Sequence, residues 1–125
     1  MRRIVCLTTV LAATLAAAAP AAAAPRISVT PDSVDRDETQ VVKGRGWPVI
    51  EFCKRLVVVK LKSDQNRARL GSARVRLSGR FRFEWTAEDA NVGSGRWRLV
   101  VRMRCESGKD GSAVFVRRAR SIRVR

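Results

Sequence analysis

The sequence predicts an all-β protein: a seven-stranded antiparallel sandwich preceded by a cleaved N-terminal signal helix. Three observations carry this. Beyond residue 24, apolar and polar residues alternate with period two, and no segment has a helical period. Turn signals recur at short, even intervals. Once the leader is removed, the remaining cysteines are Cys53 and Cys105, one opening a predicted strand and the other closing one.

The leader decides what counts as the domain. Arg2 and Arg3 form a basic start, Ile4 to Leu15 an apolar run of signal-peptide length, and small residues follow with Pro20 among them. Ala21-Ala22-Ala23 fits a small-x-small cleavage pattern, which makes residues 1–23 a signal peptide and 24–125 the mature domain. Cleavage after Ala21 and retention of the run as a membrane anchor are the alternatives. Cys6 lies inside the apolar run, away from any cleavage point. The remaining 102 residues suffice for one domain with one core.

The strands follow in order. Arg26 to Thr30 alternates and stops at Pro31-Asp32-Ser33. Thr39 to Lys43 is the second strand, ending at Gly44-Arg45-Gly46-Trp47-Pro48. Arg55 to Lys62, rich in Val and Leu, is the third, and Ser63-Asp64-Gln65-Asn66 turns the chain. Arg67 to Leu77 is the fourth, broken by Gly71-Ser72, which reads as a bulge. Ser78-Gly79 reads as a hairpin turn into the fifth strand, Arg80 to Thr86, where Phe81, Phe83 and Trp85 share one face. After the Ala87–Gly95 loop, Arg96 to Cys105 is the sixth strand, with Trp97, Leu99, Val101, Met103 and Cys105 on its core face. Glu106 to Gly111 is a polar loop. Ser112 to Val116 and Ser121 to Arg125 form the seventh strand, split near Arg117-Arg118.

Seven short strands in about a hundred residues point to an immunoglobulin-like sandwich. In that topology the third and sixth strands are antiparallel neighbours. Cys53 and Cys105 then meet at one edge of one sheet, and a disulfide within that sheet is expected in an oxidising compartment.

Short motifs carry a resemblance. Val29-Thr30-Pro31-Asp32-Ser33, Asp37-Glu38-Thr39, Val41-Val42-Lys43-Gly44-Arg45-Gly46-Trp47, the Gly-x-Phe-x-Phe strand at Gly79 to Phe83 and the Gly-x-Trp-x-Leu strand at Gly95 to Val100 cover most of the mature chain. In these the chain resembles exported bacterial immunoglobulin-like domains, and more distantly the neocarzinostatin-type apoproteins. Those carriers have two disulfides and an acidic surface around a chromophore cleft. With one cysteine pair and a basic surface, this chain departs from them, so their ligand does not transfer.

The residue inventory argues against an enzyme. Without histidine there is no Ser-His-Asp or Cys-His arrangement and no His-based zinc site. The cysteines lie too far apart for a CxxC redox motif. Glu88 and Asp89 are adjacent and point apart in extended chain, unlike a glycosidase pair. Asp32, Asp35, Asp37 and Glu38 form an acidic cluster whose spacing matches no calcium loop, and a solvated turn beside arginines accounts for it. No catalytic residue, cofactor site, metal site or small-molecule substrate is assigned. Trp85 and Trp97 read as core, and Trp47 as a core cap at the rim.

Charge is what remains. The chain has 26 basic and 11 acidic residues, a net charge of +15, and 21 of the basic residues are arginine. Alternation places Lys60, Lys62, Arg98, Arg102, Arg104, Arg123 and Arg125 on the outer face of the sheet formed by the third, sixth and seventh strands. It places Arg74, Arg76, Arg80 and Arg82 outside the hairpin of the fourth and fifth. Rows of like charge repel unless salt or an anionic partner screens them. The expected role is a secreted or cell-envelope module that binds an anionic envelope polymer or acidic protein through the arginine-rich face. An extracellular nucleic-acid binder and a small-ligand carrier are the alternatives. The export signal argues against a genomic role, and aromatics do not interleave with the arginines. An arginine-rich composition acting everywhere would also explain the basicity. No sorting motif or second apolar span follows the domain, so release or retention by charge is expected.

Overall fold

Alternation along each strand gives every segment one apolar face, and two such faces closed on each other form the core. The computed structural model describes residues 24–107 and 111–125. The signal peptide and its helix, and the middle of the Glu106–Gly111 loop, lie outside the described residues. Eight strands run in the order β1 (Arg26–Thr30), β2 (Ser33–Val34), β3 (Thr39–Arg45), β4 (Cys53–Lys62), β5 (Arg67–Arg74), β6 (Phe81–Thr86), β7 (Gly95–Glu106) and β8 (Ala113–Val124). They form a three-stranded sheet, β1-β3-β6, and a five-stranded sheet, β2-β8-β7-β4-β5. This is an all-β immunoglobulin-like sandwich.

The core is drawn entirely from residues 27 to 124, so the domain carries its own apolar interior. Val57, Val59 and Leu61 of β4 and Leu99, Val101 and Met103 of β7 are fully buried in it. Phe81 and Trp47 meet edge to face, with ring centroids 5.6 Å apart, and the Trp47 indole nitrogen donates to the Arg26 carbonyl. Trp47 is therefore a buried cap. Trp85 is also core: its Nε1–H donates to the Gln40 Oε1 at 3.0 Å, and Gln40 Nε2 donates to the Pro31 carbonyl at 2.7 Å. Gln40 is fully buried, and these bonds satisfy both ends of its amide. Gly44 is required for packing, since a Cβ there would collide with the Phe81 ring.

Cys53 and Cys105 are direct cross-strand partners on β4 and β7 and are bonded. The bridge lies within one sheet, as the strand order predicted. It begins β4 at the cysteine itself, with the register shifting between Cys53 and Val57.

Three expectations on strands are corrected. There are eight strands, because after Pro31 the chain leaves the small sheet and Ser33–Val34 pairs parallel with the end of β8. The expected hairpin of the fourth and fifth strands does not form. β5 pairs antiparallel with β4 through the four-residue Ser63–Asn66 turn, and β6 pairs with β3 in the other sheet. The Ser63-to-Asn66 connection closes by backbone and hydroxyl hydrogen bonds and is the shortest return available to β5. The Ser78-Gly79 turn exists locally, with Gly79 at φ 81°, but it swings the chain across the sandwich. Finally, β8 is continuous through Arg117 and Arg118, because β7 offers an unbroken partner over its whole length.

Candidate anion-binding face

Because β5 joins β4, the outward positions of four strands form one surface. Register aligns them in rows. Arg67, Lys62 and Arg98 lie side by side, as do Arg69, Lys60 and Val100 in the next row, and Val58, Arg102 and Arg117 in the one after. Adjacent strands stand about 4.8 Å apart, so these cations are near neighbours.

Lys60, Lys62, Arg67, Arg69, Arg102 and Arg117 rim a hollow of about 470 Å³ whose apolar lining includes Val100 and Phe115. Val100 points outward yet is only 3% exposed. The long stems of the surrounding cations cover it while their charged heads stay in water. The Arg102 guanidinium sits 4.5 Å over the Phe115 ring, a contact that holds the charge in place. Among the described residues, no carboxylate lines the hollow. Among the described residues, ion pairs join Arg82 to Glu84 at 3.2 Å and Arg125 to Asp35 and Glu38 at 2.9 and 3.6 Å, and none involves a cation of the hollow.

The titration of the two lysines records the crowding. Burial, and then the charges of Arg102, Arg69 and Arg67, push the Lys60 ammonium below its ordinary pKa. For Lys62 the charge of Arg117 comes first, followed by burial, Arg67, Lys60 and Arg102. A bound anion would reverse both effects, since an opposite charge favours the charged form.

Of the seven residues expected to bind anions, the fold brings Lys60, Lys62 and Arg102 into the hollow. Arg98 and Arg123 line a neighbouring depression of about 740 Å³ that also holds Arg96, Trp97, Asp32 and Asp64. Carboxylates there offset part of the charge. Arg104 lies beyond the hollow, paired across strands with Phe115. Arg125 follows β8 and is engaged by Asp35 and Glu38, which keeps it apart from the other six. Asp35 and Glu38, half of the acidic cluster, thus act as its counter-charges.

Reading the sequence missed Arg67, Arg69, Arg117 and Phe115. The first two were assigned to the hairpin of the fourth and fifth strands, Arg117 fell at an expected break, and Phe115, within the expected Ser112-to-Val116 segment, was given no role. The second arginine group also separates: Arg74 lies on β5, Arg82 on the outer face of β6 beside Glu84, and Arg76 and Arg80 in the crossing between the sheets.

No protein-family model matches the chain, and no curated protein does. Among solved structures the chain is similar to murine CRIg at 14% identity, over 81% of this chain and 98% of that one, with a TM-score of 0.43. The fold assignment rests on the strand order described above.

Proposed function

We propose that this chain is a secreted, non-catalytic immunoglobulin-like module that binds an anionic polymer through the basic hollow of its five-stranded sheet. The observation that carries the reading is the convergence of six cations around an apolar floor with no carboxylate among the lining residues. Such a surface raises the local concentration of anions, and each phosphate or sulfate neutralised releases condensed counterions. The leader sequence and the disulfide support action outside the cytoplasm, where charge would hold the protein on an anionic envelope.

The test is a titration of residues 24–125 with heparin and with poly(glycerol phosphate) over a salt series. The expected result is an affinity that falls linearly on a log–log plot, with a slope of about −4 to −5 if most of the six cations each neutralise one anion. Equal binding by a Lys60→Glu/Arg69→Glu/Arg102→Glu variant would remove the hollow from consideration. Duplex DNA in the same series separates a general polyanion site from one tuned to flexible chains.

A further inference from the structure

The two ends of the sandwich are chemically opposite. One end carries the Ser63–Asn66 turn, the β1-to-β3 connection and the β6-to-β7 loop. It holds Asp32, Asp35, Asp37, Glu38, Asp64, Glu88 and Asp89, seven of the chain's 11 carboxylates. The other end is marked by the disulfide. The large hydrophobic side chains exposed among the described residues, Ile50, Phe52, Leu56, Leu77, Val114 and Phe115, all lie toward it.

Their placement follows from the pairing. Ile50 and Phe52 precede Cys53, and the Phe52 carbonyl accepts the Glu106 backbone N–H at 2.7 Å. Val114 is the cross-strand partner of Cys105, and Phe115 that of Arg104. Leu56 pairs with Arg74, and Leu77 lies in the crossing that leaves β5. Phe52, Ile50 and Val114 are each more than half exposed. The side chains of Lys54, Arg74, Arg76, Arg80 and Arg104 are exposed around them, against the carboxylates of Glu51 and Glu106.

Exposed apolar groups ringed by cations, at one pole of a molecule whose other pole carries most of the carboxylates, fit an interface that is apolar inside and anionic at its surface. We infer that the disulfide end docks on an anionic lipid bilayer, with Ile50 and Phe52 entering the headgroup boundary and the surrounding cations resting on lipid phosphates. Each basic residue near such a surface adds attraction, and each apolar side chain adds burial. A second copy fits this end poorly, since two basic poles would face each other. Phe115 borders both surfaces, but the inference rests on Ile50, Phe52, Leu56, Leu77 and Val114, none of which lines the hollow, and so stands independently of the polymer reading.

The experiment is co-sedimentation of oxidised residues 24–125 with vesicles of phosphatidylcholine alone and of phosphatidylcholine mixed with phosphatidylglycerol, which supplies the negative surface potential that attracts basic segments. Wild type is expected to prefer the anionic vesicles by about tenfold or more. Ile50→Ser/Phe52→Ser is expected to lose about tenfold in binding from the lost burial while keeping its heparin affinity. Lys60→Glu/Arg69→Glu is expected to do the reverse. Both positions of the first variant are exposed, and an unchanged near-ultraviolet circular dichroism spectrum verifies its fold. No preference for anionic vesicles, or equal vesicle binding by wild type and Ile50→Ser/Phe52→Ser, overturns the inference. So does concentration-dependent dimerisation that this variant abolishes, which would make a second copy the occupant.

Discussion

The two sheets are held and dressed differently. The three-stranded sheet has no covalent tie. It is pinned by a buried polar chain in which Trp85 donates to Gln40 and Gln40 donates to the Pro31 carbonyl. Its outer face sets Arg26, Lys43, Arg45 and Arg82 among Ser28, Thr30 and Val41, with Arg82 paired to Glu84, and a hollow of about 520 Å³ there also takes in Arg76 and Arg80. The five-stranded sheet is stapled by Cys53–Cys105, and among the described residues no carboxylate lines the hollow on its outer face. Both faces are basic, and they differ less in the number of cations than in what lies beneath them: on the five-stranded sheet the Arg102 guanidinium rests on the Phe115 ring.

The largest expected effect bears on what holds the sheets. Replacing both cysteines by alanine frees a loop with a sequence separation of 52 and should lower stability by about 4 kcal/mol on the chain-entropy account, read from urea unfolding. A loss no greater than that of an exposed control substitution would make the stapled sheet self-sufficient. Next comes the contrast of faces. Lys60→Glu/Arg69→Glu should weaken polyanion binding on the order of a hundredfold and reduce the salt slope by about 2. Lys43→Glu/Arg82→Glu, the same charge change on the small sheet, should cost about threefold or less through long-range field alone. Similar losses from both pairs would erase the distinction. The polar pin is third: Gln40→Leu strands the Trp85 N–H and the Pro31 carbonyl and should cost about 1–3 kcal/mol, measured by thermal unfolding.

The smallest effect is in pH. The folded pKa values of Lys60 and Lys62 lie below the ordinary 10.5, so the unfolded chain binds more protons just below that pH. Stability should therefore rise as pH climbs through the folded values toward 10.5 and level off above it. The rise should shrink in variants with Arg102 or Arg117 replaced by Gln, and it should reverse with bound polyanion. A flat alkaline limb in the wild type would mean that the hollow's charges are effectively screened by solvent.

Much of this was legible in the residues. Alternation alone set the core faces of β4, β6 and β7, and hence the outward positions of Lys60, Lys62 and Arg102. The positions of Cys53 and Cys105 within the strand order predicted their bridge. What escaped was the sheet to which β5 belongs. A strand alternating Arg67, Arg69 and later Arg74 has the same pattern whichever partner it takes, and the choice is made by the Ser63–Asn66 return and the β4 register. Losing that partner hid two cations of the hollow. Arg117 and Arg118 looked like a break because adjacent arginines suit a loop. In the fold they point to opposite sides: Arg117 rims the hollow, and Arg118 donates to the Pro25 carbonyl at 2.8 Å.

β5 is also the free border of the five-stranded sheet. An unpaired border is a template on which another chain can add a strand and start a fibre. Here it is lined by Arg67, Arg69 and Arg74, and Gly71 interrupts it at a register shift between Val59 and Lys60. A second copy approaching edge to edge would bring its own arginines against them. Repulsion along this row opposes such edge-to-edge pairing.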